Sequence, residues 1–196
     1  MFSFVKVAAL LAAAATLVSA ENTLTFISQD SDARTLYFTG NPGHDEIEAV
    51  KVPGGKNVTV NIPYGWEGNF FSVTDGAEYK PGMLGEVAYN SWGGITFFDV
   101  SAIVDPNDHN GVKQMWPASA EEPVSGCEIF PCNFAYYLPD DVQTRATHET
   151  DLFCSLGNAA SGVTARSLLD LVERNQEDHP FFARDFVTGK WSTKRQ

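Results

Sequence analysis

Basic residues are scarce in this sequence of 196 residues. Lysine and arginine together number 13 against 25 aspartates and glutamates, and the formal net charge is −12 at pH 7. An acidic chain repels phosphate backbones and anionic lipid headgroups, so this balance disfavours nucleic acid and membrane surfaces as partners. The composition is typical of a soluble extracellular protein.

Long apolar runs are also missing after residue 20, so no later segment is predicted to cross a bilayer. The stretch from Met1 to Ala20 has one lysine, an apolar run and a small-residue end. This order predicts a secretory signal peptide over residues 1–20, cleaved after Ala20. We therefore expect a secreted protein, extracellular or in the cell wall, whose mature chain is long enough for one well-cored domain.

Cysteine is rare, with Cys127, Cys132 and Cys154 as the only examples. An oxidising compartment permits one disulfide among three cysteines and leaves one thiol over. The residues alone leave the pairing open, although Cys127 and Cys132 are close enough in sequence to close a short loop.

Motifs of metal and hydrolase sites are missing as well. The four histidines have no paired metal-ligand spacing, and there is no G-x-S-x-G motif of a serine hydrolase. The stretch Asp105 to Gly111 superficially resembles a calcium loop, but its glycine comes one position late and Trp116 stands where glutamate is needed. The sequence predicts no metal site and no cofactor.

What the sequence does contain is a series of short runs rich in β-branched and aromatic residues, separated by glycine, proline and asparagine. Polar turns separate Leu24–Ser28 from Arg34–Thr39 and Ile47–Val52 from Asn57–Ile62, which predicts two hairpins. Short strands at regular spacing predict an all-β sandwich, which we assign to residues 21–157. From residue 158 to 196 we expect a helical or partly ordered tail, because apolar residues recur at helical spacing within Ala165–Asn175.

The second predicted hairpin carries an acceptor sequence for N-glycosylation, Asn57-Val58-Thr59. Val58, Val60 and Ile62 alternate along this strand and should face the core. Asn57 and Thr59 then share the outer face, so we expect Asn57 to be an exposed glycosylation site.

The densest signal lies between Gly85 and Pro117. Two apolar runs flank Ser91-Trp92-Gly93-Gly94, which predicts a hairpin because glycine adopts positive φ at no steric cost. A buried hairpin needs no acid, yet Glu86, Asp99 and Asp105 are placed here. Such acids either converge in a cleft or are solvated at turns and strand ends, and the residues leave both interpretations open.

At these residues the sequence resembles the thaumatin-like proteins, most closely the secreted fungal members that include those of conidia. Leu84 to Asn90 corresponds to the family pattern L-x-E-F-x-L-N, and Thr96 to Asp105 corresponds to D-x-Y-D-V-S-x-V-D. The resemblance extends from Thr23 to Gly157. It implies a reduced thaumatin-like β-sandwich without the disulfide-rich loop domain, since too few residues separate Cys132 from Cys154 to hold one.

The resemblance also implies a disulfide. In the family, a Gly-Cys like Gly126-Cys127 is bridged to a late Phe-Cys like Phe153-Cys154. We therefore expect a bond between Cys127 and Cys154, with Cys132 free.

In thaumatin-like proteins an acidic cleft binds glucan, and some members hydrolyse β-1,3-glucan weakly. The resemblance maps the acids of that cleft onto Glu86, Asp99 and Asp105. Two arginines of the family pattern are replaced by Asn69 and Val73, so the carboxylates lack the cations that would orient them. We therefore expect no catalytic residues.

Trp66, Trp92 and Trp116 lie near turns beside the predicted cleft strands. Their rings either stack on sugars, for which we select Trp66 and Trp92, or pack in the core.

We expect a secreted monomer that binds β-glucan or a related polysaccharide on the fungal cell wall or spore surface, without catalysis, and serves in germination or host interaction. The alternatives are a weak β-1,3-glucan hydrolase that uses Glu86 and Asp99, and an adhesion module for host protein.

Overall fold

The computed structural model describes residues 22–120, 122–159, 183–184 and 191–192. Almost all regular structure in these ranges is β-strand. The strands in chain order are β1 (Asn22–Ser28), β2 (Arg34–Gly40), β3 (Val50–Val52), β4 (Asn57–Ile62), β5 (Glu67–Thr74), β6 (Leu84–Ala88), β7 (Thr96–Ser101), β8 (Val112–Pro117), β9 (Ser125–Gly126), β10 (Arg145–Thr147), β11 (Asp151–Leu156), β12 (Ala183–Arg184) and β13 (Trp191–Ser192). The signal peptide expected at residues 1–20 and the helix expected at Ala165–Asn175 lie outside the described residues.

The predicted all-β sandwich is confirmed. One sheet has five strands in the order β4-β1-β11-β8-β9, and the other has six in the order β10-β7-β6-β5-β2-β3. Their facing sides form one apolar core. At its centre Phe26 of the five-stranded sheet packs edge-on against Phe70 of the six-stranded sheet, with ring centroids 5.1 Å apart.

The two early hairpins predicted from the sequence are wrong. β1 pairs with β4 and β11 in the five-stranded sheet, whereas β2 pairs with β3 and β5 in the six-stranded sheet. The turn between β1 and β2 therefore carries the chain from one sheet to the other, as does the turn between β3 and β4. Alternation identified the buried face of β4 correctly, but it contains no information about which strand pairs with which.

The crossing from β1 to β2 is held by a buried ion pair. The Arg34 side chain is fully buried, and its guanidinium donates two hydrogen bonds to the Asp30 carboxylate, at 2.6 and 2.8 Å. It also donates to the carbonyl oxygens of Asp32 and Asn110. A bidentate pair of this kind fixes the angle at which the chain changes sheets.

The disulfide expectation is corrected by the structure. Cys127 is bonded to Cys132, with Cα atoms 6.5 Å apart, a usual separation for a disulfide. Cys154 is buried and free. It lies within β11 in register with Phe26 and Met115, whose side chains belong to the same core, whereas the two bonded cysteines share one loop.

The predicted alternation of β4 is confirmed. Val60 and Ile62 are buried, while Thr59 and Asn61 are exposed and Asn57 is partly exposed on this edge strand. Carbohydrate at Asn57 stays a prediction.

Candidate functional site

The hairpin predicted around Ser91 to Gly94 is present and positions the first two acids. β6 and β7 are antiparallel, and Glu86 lies directly opposite Asp99. Their neighbours Val87 and Phe98 point into the core, so the two acids lie on the outer face, the side of the six-stranded sheet that faces away from the other sheet. Gly85 also contributes, because a side chain there would collide with the Phe70 ring beneath it.

A row of polar residues crosses this outer face. Register aligns Thr39 with Asn69, Asn69 with Glu86, and Glu86 with Asp99. Thr144, just before β10, completes the row by donating a hydrogen bond from Oγ1 to Asp99 Oδ2, at 3.1 Å. Opposite residues of adjacent strands have Cβ atoms about 5 Å apart, so these side chains are within reach of one ligand.

The row forms the floor of a cleft with a volume of about 300 Å³. Three carboxylates line the cleft, together with amides and small apolar surfaces. The lining residues are Asn41, Glu67, Gly68, Asn69, Glu86, Val87, Ala88, Phe97, Asp99 and Thr144. No lysine or arginine is among these residues, so the cleft is acidic.

Asp99 is the most buried acid of the cleft, with 7% of its surface exposed. Its Oδ1 atom is buried and accepts no hydrogen bond from the described residues. Burial raises the pKa of Asp99 to about 7, helped by the neighbouring Glu86 carboxyl, while the Thr144 hydroxyl acts in the opposite direction. Asp99 therefore changes charge near neutral pH.

Glu67 is the most exposed acid of the cleft. Its Oε1 atom accepts a hydrogen bond of 2.8 Å from Asn41 Nδ2, which orients the carboxylate at the end of β5. Both residues are exposed and accessible to a ligand.

Asp105 does not belong to this site, contrary to the prediction. β7 ends at Ser101, and Asp105 lies in the following loop, where it forms an ion pair of 2.7 Å with Lys80. Its other oxygen accepts the backbone N–H of Asn107, and these two contacts, the Lys80 hydrogen bond foremost, lower its pKa. Asp105 is therefore a turn residue. Of the three acids predicted to line the cleft, Glu86 and Asp99 come together and Asp105 does not.

The two selected tryptophans have different positions. Trp66 is buried in the core with 1% exposure, and its Nε1 donates to the carbonyl oxygen of Asp45, so its prediction as a sugar-stacking residue is wrong. Trp92 is 82% exposed at the turn between β6 and β7, although it does not line the cleft. Trp116 packs in a second small cluster with Ile27 and Phe153.

Sequence reasoning missed several residues of this face. Glu67, Asn69 and Phe71 alternate along β5, a signal that would have placed these three residues on one face of the sheet. Thr144 gave no such signal, because it is 45 positions from Asp99 and a long loop brings it to the sheet.

An aromatic cluster adjoins the cleft on the same face. Tyr37 stacks on Phe71 with centroids 5.5 Å apart, and Tyr79 packs edge-on against Tyr37 at 4.8 Å. Tyr79 is 65% exposed. Phe71 lies two residues along β5 from Asn69, so this aromatic cluster is about 7 Å from the polar row.

Two further properties concern only the parts of the chain that the structure describes. In those parts, no group of three or more His, Cys, Asp or Glu side chains is arranged to hold a metal ion. Within the same ranges, no helix has the length and apolar character needed to span a membrane.

Comparison with known proteins gives a relative in sequence and a solved structure of similar fold. No protein-family model matches the chain. The crystal structure of the protein elicitor MoHrip2 from Magnaporthe oryzae superposes with a TM-score of 0.51 over 69% of this chain and 98% of that chain. At 10% sequence identity, this likeness shows the fold alone.

The relative is far more similar in sequence. The antigenic protein SchS21 of Stachybotrys chartarum is 54% identical over 141 residues, which cover 72% of this chain and 98% of that protein. The chain belongs to the family of the antigenic protein SchS21.

Proposed function

We propose that this protein is secreted and binds polysaccharide, without catalysis, on the fungal cell wall or spore surface, with a role in germination or host interaction. The observation that carries the proposal is the acidic cleft on the outer face of the six-stranded sheet. Carboxylates, amides and a threonine hydroxyl converge there beside an exposed aromatic surface.

These groups suit a sugar polymer. Sugar hydroxyls donate hydrogen bonds to Glu67 and Glu86, and charge-assisted bonds of this kind are about twice as strong as neutral ones. Aromatic rings such as Tyr79 offer flat apolar faces against which the C–H faces of sugar rings pack.

A relationship to thaumatin-like proteins is part of this proposal and makes β-glucan the first polymer to test. It is supported by the motif around Glu86 and Asp99 and by the two-sheet sandwich. The absence of Asp105 from the cleft weakens this correspondence, so the ligand of that family does not transfer automatically.

Export is supported from two directions. The disulfide between Cys127 and Cys132 is of a kind that persists in oxidising compartments. The 54% identical relative is named as an antigenic protein, which fits a protein that is encountered outside the cell that makes it.

The hydrolase alternative is supported by one observation, the raised pKa of Asp99, which suits a general acid. The lining of the cleft opposes it. A glycosidase needs a second carboxylate held in place as nucleophile or base, opposite the general acid. Lysine and arginine are absent from the lining residues, so no cation orients Glu86 for that role.

The test is sedimentation of the purified mature protein with a panel of insoluble wall polysaccharides, with release of reducing sugar measured in the same tubes. We expect binding without release of sugar. Sugar release that Asp99→Asn abolishes would establish the hydrolase instead. Failure to bind any polysaccharide, together with saturable binding to host surface protein, would establish the adhesion module.

A further inference from the structure

Within the described residues, the two sheets of the sandwich end in four edge strands, β4 and β9 in one sheet and β10 and β3 in the other. Three of these edges are short, because β9 has two residues and β3 and β10 have three each. Lys51 lies in β3 and Arg145 in β10, so two of the short edges also carry a cation. Short length and charge protect an edge, because its unpaired backbone groups otherwise accept a strand from another molecule.

The fourth edge, β4, has neither protection. It runs for six residues, NVTVNI, without a charged residue or proline, and four of the six are β-branched, a type that favours strands. In the part of the chain that the structure describes, β4 pairs with β1 on one side, and no backbone hydrogen bond joins its far side to a further segment. A long, uncharged edge of this kind is a template for pairing with another chain.

The free edge of β4 suits a second copy of the same chain. The formal net charge is −12, so most surfaces of two molecules repel each other. Two β4 strands bring no like charges together, and a two-fold axis makes them antiparallel and self-complementary. Such a pair joins two five-stranded sheets into one continuous sheet.

A second, independent observation lies on the same strand. Asn57-Val58-Thr59 is the only N-x-S/T acceptor sequence among the 196 residues, and it forms the first half of β4. Thr59 is exposed, and its Oγ1 atom lies 2.8 Å from Oγ1 of Thr25 on β1. Asn57 is partly exposed and shares this outer face with Thr59, about 7 Å away along the strand. Carbohydrate on Asn57 therefore starts beside the middle of the unprotected edge.

We propose that carbohydrate attached to Asn57 covers the free edge of β4 and keeps the secreted protein monomeric, whereas a chain without it pairs β4 with β4 of a second copy. An N-linked oligosaccharide is bulky and solubilising, so it obstructs an incoming strand beside its attachment point. The carbohydrate thus has at β4 the role that short length and cations have at the other edges. The acidic cleft lies on the other sheet, so this effect does not require polysaccharide binding.

Three substitutions of Thr59 separate the carbohydrate from the edge itself. Thr59→Ser keeps the acceptor sequence, Thr59→Ala removes it, and Thr59→Lys removes it and adds a cation to the edge. The alanine and lysine variants both lose the hydroxyl that contacts Thr25, so they are matched in this respect. Asn57→Gln removes the acceptor by a second route and keeps that hydroxyl.

The full-length chains are secreted from one eukaryotic host, their carbohydrate is measured by mass spectrometry, and their mass in solution by sedimentation velocity at several protein concentrations. We expect the natural sequence and Thr59→Ser to carry carbohydrate at Asn57 and to be monomeric. Thr59→Ala and Asn57→Gln should form dimers. Thr59→Lys should associate at least ~10-fold more weakly than Thr59→Ala, because pairing brings two lysines together at the middle of the edge.

Melting curves identify any variant that does not fold, and Asn57→Gln replaces Thr59→Ala in the comparison if the latter is unfolded. Absence of carbohydrate from Asn57 of the secreted natural sequence would overturn the role of the modification. Monomeric Thr59→Ala and Asn57→Gln at every concentration would show that the edge does not pair. Equal association of Thr59→Ala and Thr59→Lys would place the contact elsewhere on the surface and also overturn the proposal.

Discussion

Glu86 and Asp99 face each other across β6 and β7, and the Asp99 carboxyl is buried against that of Glu86. Like charges directly opposite in a sheet are destabilising, and burial adds the loss of hydration. The raised pKa of Asp99 expresses this cost. An arrangement that opposes stability is characteristic of a functional site.

The pH dependence of stability follows from this pair. The pKa of Asp99 rises from an ordinary 3.8 to about 7 on folding, so the folded protein binds the proton more tightly than the unfolded chain. Its stabilising contribution is complete below pH ~4 and is lost as the pH rises through ~7, with a total of about 4 kcal/mol at most. We expect Asp99→Asn to be more stable than the unmodified protein at pH 8 and to lose this dependence, as measured by urea unfolding at several pH values.

Two other carboxyls need to be separated from this effect. Burial raises the pKa of Glu128, whereas Arg34 and backbone hydrogen bonds outweigh burial and lower that of Asp30, whose contribution is lost only at more acidic pH. Both carboxyls are present in Asp99→Asn and in the unmodified protein, so their contributions cancel when the unfolding free energies of the two proteins are subtracted. Parallel profiles for the two proteins would show that Asp99 does not titrate near neutral pH.

The substitution Asp105→Asn tests whether Asp105 lies outside the polysaccharide-binding site. Because Asp105 is paired with Lys80 in the loop after β7, this substitution should leave polysaccharide affinity unchanged, while Glu86→Gln should weaken it by about 10-fold. The measurement is the same sedimentation assay for both variants. Equal losses would return Asp105 to the binding site that the family resemblance implied.

The ion pair between Asp30 and Arg34 should contribute strongly to stability. Asp30→Ala leaves the buried Arg34 guanidinium without its carboxylate, and breaking a buried pair in this way costs about 3–5 kcal/mol, with a value near the lower limit here because Asp30 is partly exposed. Lys51→Ala breaks an exposed pair and is the control, with an expected effect below ~1 kcal/mol. Similar unfolding free energies for the two variants would contradict a structural role of the buried pair.

The cysteines give a chemical test. Peptide mapping without reduction should recover Cys127 joined to Cys132, and Cys127→Ser with Cys132→Ser should lower the unfolding free energy by about 2 kcal/mol, the loop-closure value for a loop this short. Burial raises the pKa of the Cys154 thiol, so a thiol reagent should label it only after denaturation. Recovery of Cys127 joined to Cys154 would restore the pairing that the family resemblance implies.

The sequence predicted features that depend on alternation and local turns. Buried and exposed sides of β4 follow from period two, and the hairpin that places Glu86 against Asp99 follows from Gly93 and Gly94. Both are properties of neighbouring residues, so a single chain is enough to derive them.

Features that depend on distant contacts were not predictable in the same way. Thr144 reaches Asp99 through a loop, Lys80 removes Asp105 from the cleft, and the strand partners of β1 come from remote parts of the chain. The predicted cysteine pairing was wrong for a related reason. It was carried over from the family resemblance, and the tertiary contacts around Cys154 could not be derived from the sequence.

The position of β1 has a consequence for how the protein is made. β1 is the first strand, and one of its edges pairs with β4, but its other edge pairs in parallel with β11, the last strand of the sandwich. Until residue 156 has been synthesised, that second edge has unpaired backbone groups available to any other strand. A pairing this distant also closes slowly. The nascent chain therefore needs protection from self-association until its final strand is complete, and truncation before Leu156 would leave the first strand permanently open along one side.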